Sequence, residues 1–301
     1  MERWLVAAGN AARMVSAWPA LWLPGALAWL ATVGWISLVA GVAQVPSEGE
    51  LTVFGAGFYT SGAWPWNAVA VGAAAMGAVM LAFGLAAIGE SALLGLLRGD
   101  PQTRPSAIDV VAVSVVTAGP TLLAILASIT AAAIVAPGEF TAPATGAGPV
   151  LRIVARLAPF LIAIAALAAL GAAVHAAAVR LLGRAGREPL AALRDAPRAL
   201  GSPGAAAAWQ LAAHLAVRIV FLVVATVLVR VLWAPIGVRL GGGGFDVAVA
   251  LLLVGFVAIW LVIVLGGGAI HAWGSATWSG LLDARAGEGR PDRHEETPIG
   301  R

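Results

Sequence analysis

Six long apolar stretches, separated by short segments rich in Gly, Pro and charge, set the pattern of this chain. They run at about Ala20–Val42, Ala68–Ala87, Val110–Val135, Val154–Val179, Ala205–Val231 and Val247–Ile270. A helix needs about 20 mainly apolar residues to cross the hydrocarbon core of a bilayer, and each stretch reaches that length. Continuous apolar runs lack the alternation that marks the strands of a membrane barrel. The pattern predicts an all-α, polytopic helical membrane protein with six transmembrane helices. Residues 1–19 read as an N-terminal amphipathic cytoplasmic segment, 20–282 as the transmembrane domain and 283–301 as a polar, disordered cytoplasmic tail. In the leading segment Arg3, Asn10 and Arg13 share one helix face, with Trp4, Leu5, Ala8 and Val15 mostly opposite. Such a helix lies in the membrane interface; the competing reading is a simple extension of the first span. A signal peptide cleaved after Gly41-Val42-Ala43 fits less well, because the apolar run is too long and begins late.

Composition sharpens the class. Of 301 residues, 60% are hydrophobic and 11% charged, against about a quarter charged in a soluble domain. Cysteine is absent, which excludes disulfides, thiol catalysis and Cys-ligated metal centres. All 18 basic residues are Arg, which removes P-loop, Schiff-base and Ser-x-x-Lys chemistry. The formal net charge is only +3, so nucleic acid is not an implied partner.

Arginine placement orients the spans. Arg3 and Arg13 precede the first span, and Arg98 and Arg104 separate the second from the third. Arg180, Arg184, Arg187, Arg194 and Arg198 separate the fourth from the fifth, and Arg285, Arg290, Arg293 and Arg301 follow the sixth. The alternate loops hold Glu48, Glu50 and Glu139 but no Arg. The positive-inside rule then puts both termini in the cytoplasm, in a multi-pass protein expected in the cytoplasmic (inner) membrane. Arg152, Arg156, Arg230 and Arg239 near the outer ends weaken the asymmetry without reversing it.

The even-numbered spans end alike, at Gly89-Glu90-Ser91-Ala92, Val174-His175-Ala176-Ala177 and Ile270-His271-Ala272-Trp273. Three in-out-in hairpins with Glu90, His175 and His271 equivalent would form a parallel repeat. The alternative is chance matching in an Ala/Gly/Leu-rich chain. The Trp18-Pro19-Ala20-Leu21-Trp22-Leu23-Pro24-Gly25 entry and an amphipathic piece after each hairpin give a layout that resembles the six-span glycerophosphodiester-phosphodiesterase membrane-domain type and related uncharacterised bacterial membrane proteins. The resemblance is one of organisation across most of the chain, with no diagnostic motif. The catalytic domain of that type is missing, so the resemblance implies no activity and transfers no functional residue.

Enzyme signatures are missing as well. His294-Glu295-Glu296-Thr297 lacks the second His of a zinc-protease helix, and no nucleophile elbow or dinucleotide fingerprint occurs. No cofactor is expected. Gly266–Gly268 inside the sixth span reads as packing, as do the stripes Ala165/Ala169/Ala173/Ala177 and Ala70/Ala74/Ala78/Ala82. The fifth span carries the sharper signal. Gln210, His214 and Arg218 recur at i, i+4 and i+8, on one helix face. Arg218 falls near the midplane, where a cation costs at least a few kcal/mol unless paired or hydrated. It should face protein or water, with carbonyls, a ligand anion or hydroxyls such as Ser128 or Thr130 as partners. Its functional reading is a polar pathway or anion site, and its bland reading is a structural Arg. Glu90, His175 and His271 form a second candidate group at the inner interface, to be weighed against satisfied polar residues at helix ends.

Two functions fit. The first is a non-catalytic accessory or scaffold subunit associated with lipid or a membrane complex. Its partners would be membrane lipids, with anionic headgroups at Arg180, Arg184, Arg187, Arg194 and Arg198, and a membrane or cytoplasmic subunit. The second is a transporter or permease subunit using the polar site on the fifth span. A carrier of polar solutes needs several intramembrane polar groups, and the sequence places a cluster on only one span, which favours the first.

Overall fold

The computed structural model describes residues 1–43, 66–99, 104–141, 148–185, 188–201, 204–242 and 244–288, with positions 47, 49, 50, 53, 57, 62 and 63 between the first two spans. The described residues are helical, without strands, and six helices are long and apolar enough to cross a membrane: Pro19–Val42, Val69–Arg98, Ala107–Ala136, Leu151–Leu182, Ala205–Gly242 and Val247–Leu282. The all-α class holds. The last helix continues to Glu288, past the boundary expected at 282, and residues 289–301 lie outside the described residues, as does Arg187.

The N-terminal segment is a separate helix, Glu2–Ala17, and not an extension of the first span. Trp18 breaks it (φ −123°), and a short 3₁₀ turn at Pro19–Leu21 re-aims the chain. Ala8, Ala11 and Val15 bury against the last helix while Arg3 and Arg13 stay exposed. Three indoles fasten it. Trp4 Nε1 donates to Gln210 Oε1 (2.9 Å), Trp22 Nε1 to Val15 O (2.9 Å) and Trp273 Nε1 to Ala8 O (3.1 Å).

The first span is two helices, Trp22–Trp29 and Trp35–Val42, joined by a π turn at Leu30–Gly34. Its first half packs on the sixth span and its second half on the fifth. Gly25 and Gly268 make the first contact close, since a Cβ on either would collide with the other helix's backbone. Gly267 lies flat against the Trp29 indole, so the Gly266–Gly268 run is a packing device, as its sequence implied. Trp29, Ala225, Val229, Ile236, Val249, Phe256 and Ile263 form the core of this three-span unit.

The second, third and fourth spans join that unit at the arginine-rich end. There Ala87, Leu94, Val110, Val113, Ala177, Val179 and Leu182 form a second core with Ala192 and Ala196 of an amphipathic helix, Pro189–Gly201. Toward the opposite end these spans are mostly exposed within the chain. Of the stripe Ala70/Ala74/Ala78/Ala82, the first three are exposed and Ala82 is half-buried, so among the described residues no helix of this chain covers most of that face, against the expected packing role. The third and fourth spans are clamped at that end by Glu139. It accepts from Arg152 Nε and Arg156 Nε (both 2.7 Å), which accounts for two of the arginines that blurred the charge asymmetry.

Candidate functional site

The arginine-rich half holds a polar network reaching across three spans. Glu90 enters from the second span, where it is buried. Its Oε2 lies 2.8 Å from His271 Nε2, and its Oε1 accepts from Ser275 Oγ (2.9 Å), both from the sixth span. Arg180 comes from the end of the fourth span. Its Nη2 donates to Ser275 O (2.7 Å) and Oγ (2.8 Å), its Nη1 to Ala176 O (2.8 Å) and its Nε to Ser279 Oγ (3.2 Å), with Glu90 Oε1 3.6 Å away. A buried carboxylate thus meets a buried guanidinium, and serines satisfy much of the remaining capacity. Arg98 Nη2 donates to Arg180 O (2.9 Å), extending the network toward the surface.

Arg180 is 3% exposed. The expectation that it meets lipid headgroups therefore fails; its charge is committed inside the protein. The available signal was the apolar run continuing through it, Ala177-Ala178-Val179-Arg180-Leu181-Leu182, which lengthens the fourth span. Arg194 and Arg198 do stand exposed on the outer face of the amphipathic helix. The side chain of Arg184, like all of Arg187, lies outside what the structure describes.

Beside the network lies a cavity of about 330 Å³ to which every span contributes. Thr32 comes from the first span, Glu90 from the second, and Ser114, Thr117 and Thr121 from the third. His175 comes from the fourth, Arg218 from the fifth and His271 from the sixth. Small apolar residues line the rest, including Ala86, Ala118, Gly171 and Ala172. Gly171 is needed where it stands, because a Cβ would run into Thr117 O at 2.5 Å. Glu90 is eight residues from the end of its helix and Arg218 thirteen from the start of its own. At 1.5 Å per residue, Glu90 stands about 12 Å and Arg218 about 20 Å along their own helices from the arginine-rich ends.

The residues singled out in sequence divide unevenly. Glu90, His175 and His271 are brought together on one cavity, with Glu90 and His271 in direct contact. The fifth-span trio splits. Gln210 is fully buried between Trp4 and Gly274, donating to Gly274 O at 3.3 Å. His214 stacks on Trp273 (centroids 6.2 Å apart) over Gly274, where a Cβ would strike the imidazole. Both are packing residues joining the fifth and sixth spans. Only Arg218 faces the cavity.

Arg218 finds a hydroxyl, as expected, but it is that of Thr32 (Nη2 to Oγ1, 3.0 Å) and not Ser128 or Thr130. Thr130 donates to its own helix, to Leu126 O. Thr32 sits in the π turn of the first span and directs its own proton to Ala28 O (2.8 Å). Its lone pair is therefore free for the guanidinium. Sequence reasoning missed Thr32, Ser114, Thr117 and Thr121, because a lone Ser or Thr in an apolar run is ordinary and bonds back to its own helix. Among the described residues no group of three acidic or His side chains is placed to hold a metal. No protein-family model, curated protein or solved structure matches the chain.

Proposed function

We propose that this protein is a carrier or permease subunit whose central cavity binds a small polar solute within the membrane. The observation that carries the reading is the convergence of polar side chains from all six spans on one cavity. The sequence had placed such a cluster on a single span, and that was the main argument for an accessory role. Ionisable groups inside a membrane are costly and mark ligand or ion paths. Those here border a space sized for a ligand. The π turn that presents Thr32 adds to this, since such turns are frequent at functional sites.

On this reading the protein sits in the cytoplasmic membrane with both termini inside, following the arginine asymmetry. Exposed Arg194 and Arg198 would rest on anionic headgroups. The accessory or scaffold reading keeps one observation in its favour, the uncovered apolar face of the second span, which suits a partner subunit as well as lipid. The resemblance to the glycerophosphodiester-phosphodiesterase membrane-domain type stays a proposal about layout.

Cysteine accessibility tests the cavity reading cleanly, because the native chain has no Cys. Single cysteines at Thr121 and Ala172 should react with a small charged methanethiosulfonate in sealed vesicles, while cysteines at the exposed fifth-span positions Val220 and Val223 stay inert. Inert Thr121 and Ala172 positions would mean that no aqueous path reaches the cavity and would sink the carrier reading.

A further inference from the structure

The charges around the cavity do not balance. Glu90 is the one carboxylate among its lining residues, and it is already occupied by His271, Ser275 and Arg180. Counting only groups of fixed charge, Arg180 beside the cavity and Arg218 on it outnumber Glu90 and leave at least one positive charge in excess. Arg218 makes a single hydrogen bond among the described residues, to the uncharged Thr32, and its buried Nε has no partner. An unmatched guanidinium within a membrane span is costly, and an anion placed against it would remove that cost.

The donors are arranged for such an ion. Arg218 keeps Nε, Nη1 and the second hydrogen of Nη2 beyond its bond to Thr32, enough for one edge of the planar fork to meet a carboxylate in two parallel bonds. The Thr121 hydroxyl and the His175 ring line the same space. Ser114 and Thr117 give their protons to Val110 O and Val113 O (both 2.8 Å), so they add few donors. Most of the remaining wall is alanine, with Phe83, a surface for carbon and not for a second charge.

We infer that the cavity takes a small monocarboxylate, its carboxylate held by the Arg218 fork with Thr121 and His175 at hand and its apolar body along the alanine wall. This rests on reading the cavity as a binding site. The fork matches a carboxylate, and the alanine wall selects a ligand with a carbon body over inorganic phosphate. The same head-group chemistry is offered by a free short-chain acid and by a fatty acid entering from the bilayer.

The test is equilibrium binding of radiolabelled butyrate to the full chain in mild detergent, with butyramide, inorganic phosphate and palmitate as competitors. Butyrate should bind and butyramide should not compete, since it has the shape without the charge. Arg218→Gln should weaken binding about tenfold or more, as expected for loss of charge-assisted bonds. Ala172→Trp, which fills the cavity and leaves Arg218 in place, should also abolish it, and covers the case in which the Arg218 variant fails to fold. Competition by palmitate supports the same Arg218 site supplied from the bilayer, whereas butyrate binding untouched by palmitate supports a free solute. Full affinity in Arg218→Gln, equal competition by butyramide, or displacement by phosphate at lower concentration than by butyrate would overturn the inference. If cysteines at Thr121 and Ala172 are labelled yet butyrate does not bind, the ligand class is wrong and the cavity reading survives; if they stay unlabelled, both fall.

Discussion

Glu90 and Arg218 look alike in sequence, as single ionisable residues in apolar runs, yet their surroundings give them opposite roles. Glu90 is enclosed by His271, Ser275 and Arg180. Removing one member of a buried charge pair leaves the other uncompensated and costs about 3–5 kcal/mol. Glu90→Ala should therefore lower the thermal midpoint in detergent sharply, and Glu90→Gln, which keeps hydrogen-bonding capacity, should lower it less. Equal losses would show that the charge itself is unimportant. Among the described residues Arg218 bonds only to Thr32, so Arg218→Leu should cost little stability while abolishing butyrate binding. A fall in stability like that of Glu90→Ala would make Arg218 a structural bridge. The His214–Gly274 contact allows a further test, because a methyl group on Gly274 meets the imidazole. Gly274→Ala should destabilise, typically by about 1–3 kcal/mol for overpacking, and His214→Ala in the same chain should recover part of that loss. No recovery would mean that the clash lies elsewhere.

Among the elements, the N-terminal helix stands out because the sequence left its role open. It buries only Ala8, Ala11 and Val15, small side chains that contribute little area, so the indole hydrogen bonds matter in proportion. Trp4→Phe keeps an aromatic ring, though a smaller one, and removes the bond to Gln210; the expected loss is about 1 kcal/mol, read as a lower unfolding midpoint in a detergent titration. A loss of several kcal/mol would mean that Gln210, once unpartnered, disrupts the contact between the fifth and sixth spans. The amphipathic helix Pro189–Gly201 was foreseen as an amphipathic piece after the second hairpin, without its limits or its partner. Its alternation places Ala192 and Ala196 inward and Arg194 and Arg198 outward. The sequence supplied the two faces, and the third and fourth spans supplied the surface that the apolar face covers.

For the whole molecule, the first, fifth and sixth spans pack along their length, whereas the second to fourth join them chiefly at the arginine-rich end. The cavity lies in the space left between the two groups. Its depth and ionisable lining follow from that divergence. The orientation of the bundle rests on arginine counts alone and is open to a direct check. A cysteine at Ser47 should be labelled from outside intact cells, and one at Leu190, exposed on the amphipathic helix, only after the membrane is broken. The reverse pattern would invert the topology.

Membrane class, span number and approximate span limits were legible in the chain, because insertion responds to apolar length and charge, both local and additive along the sequence. The candidate positions Glu90, His175, His271 and Arg218 were also legible, since a polar side chain in a long apolar run stands out wherever it points. Which of them meet was not. Glu90 and His271 are 181 residues apart, and their contact depends on how six helices are arranged around one another. Gln210 and Arg218 share a face of the fifth helix, yet the sixth helix takes the first and the cavity takes the second. That division follows from which neighbour approaches closely enough, and the approach is set by glycines at Gly25, Gly268 and Gly274 whose partners lie on other spans. Periodicity fixes a direction around one helix axis; only the packing of the other five decides whether that direction ends in a neighbour, a cavity or lipid.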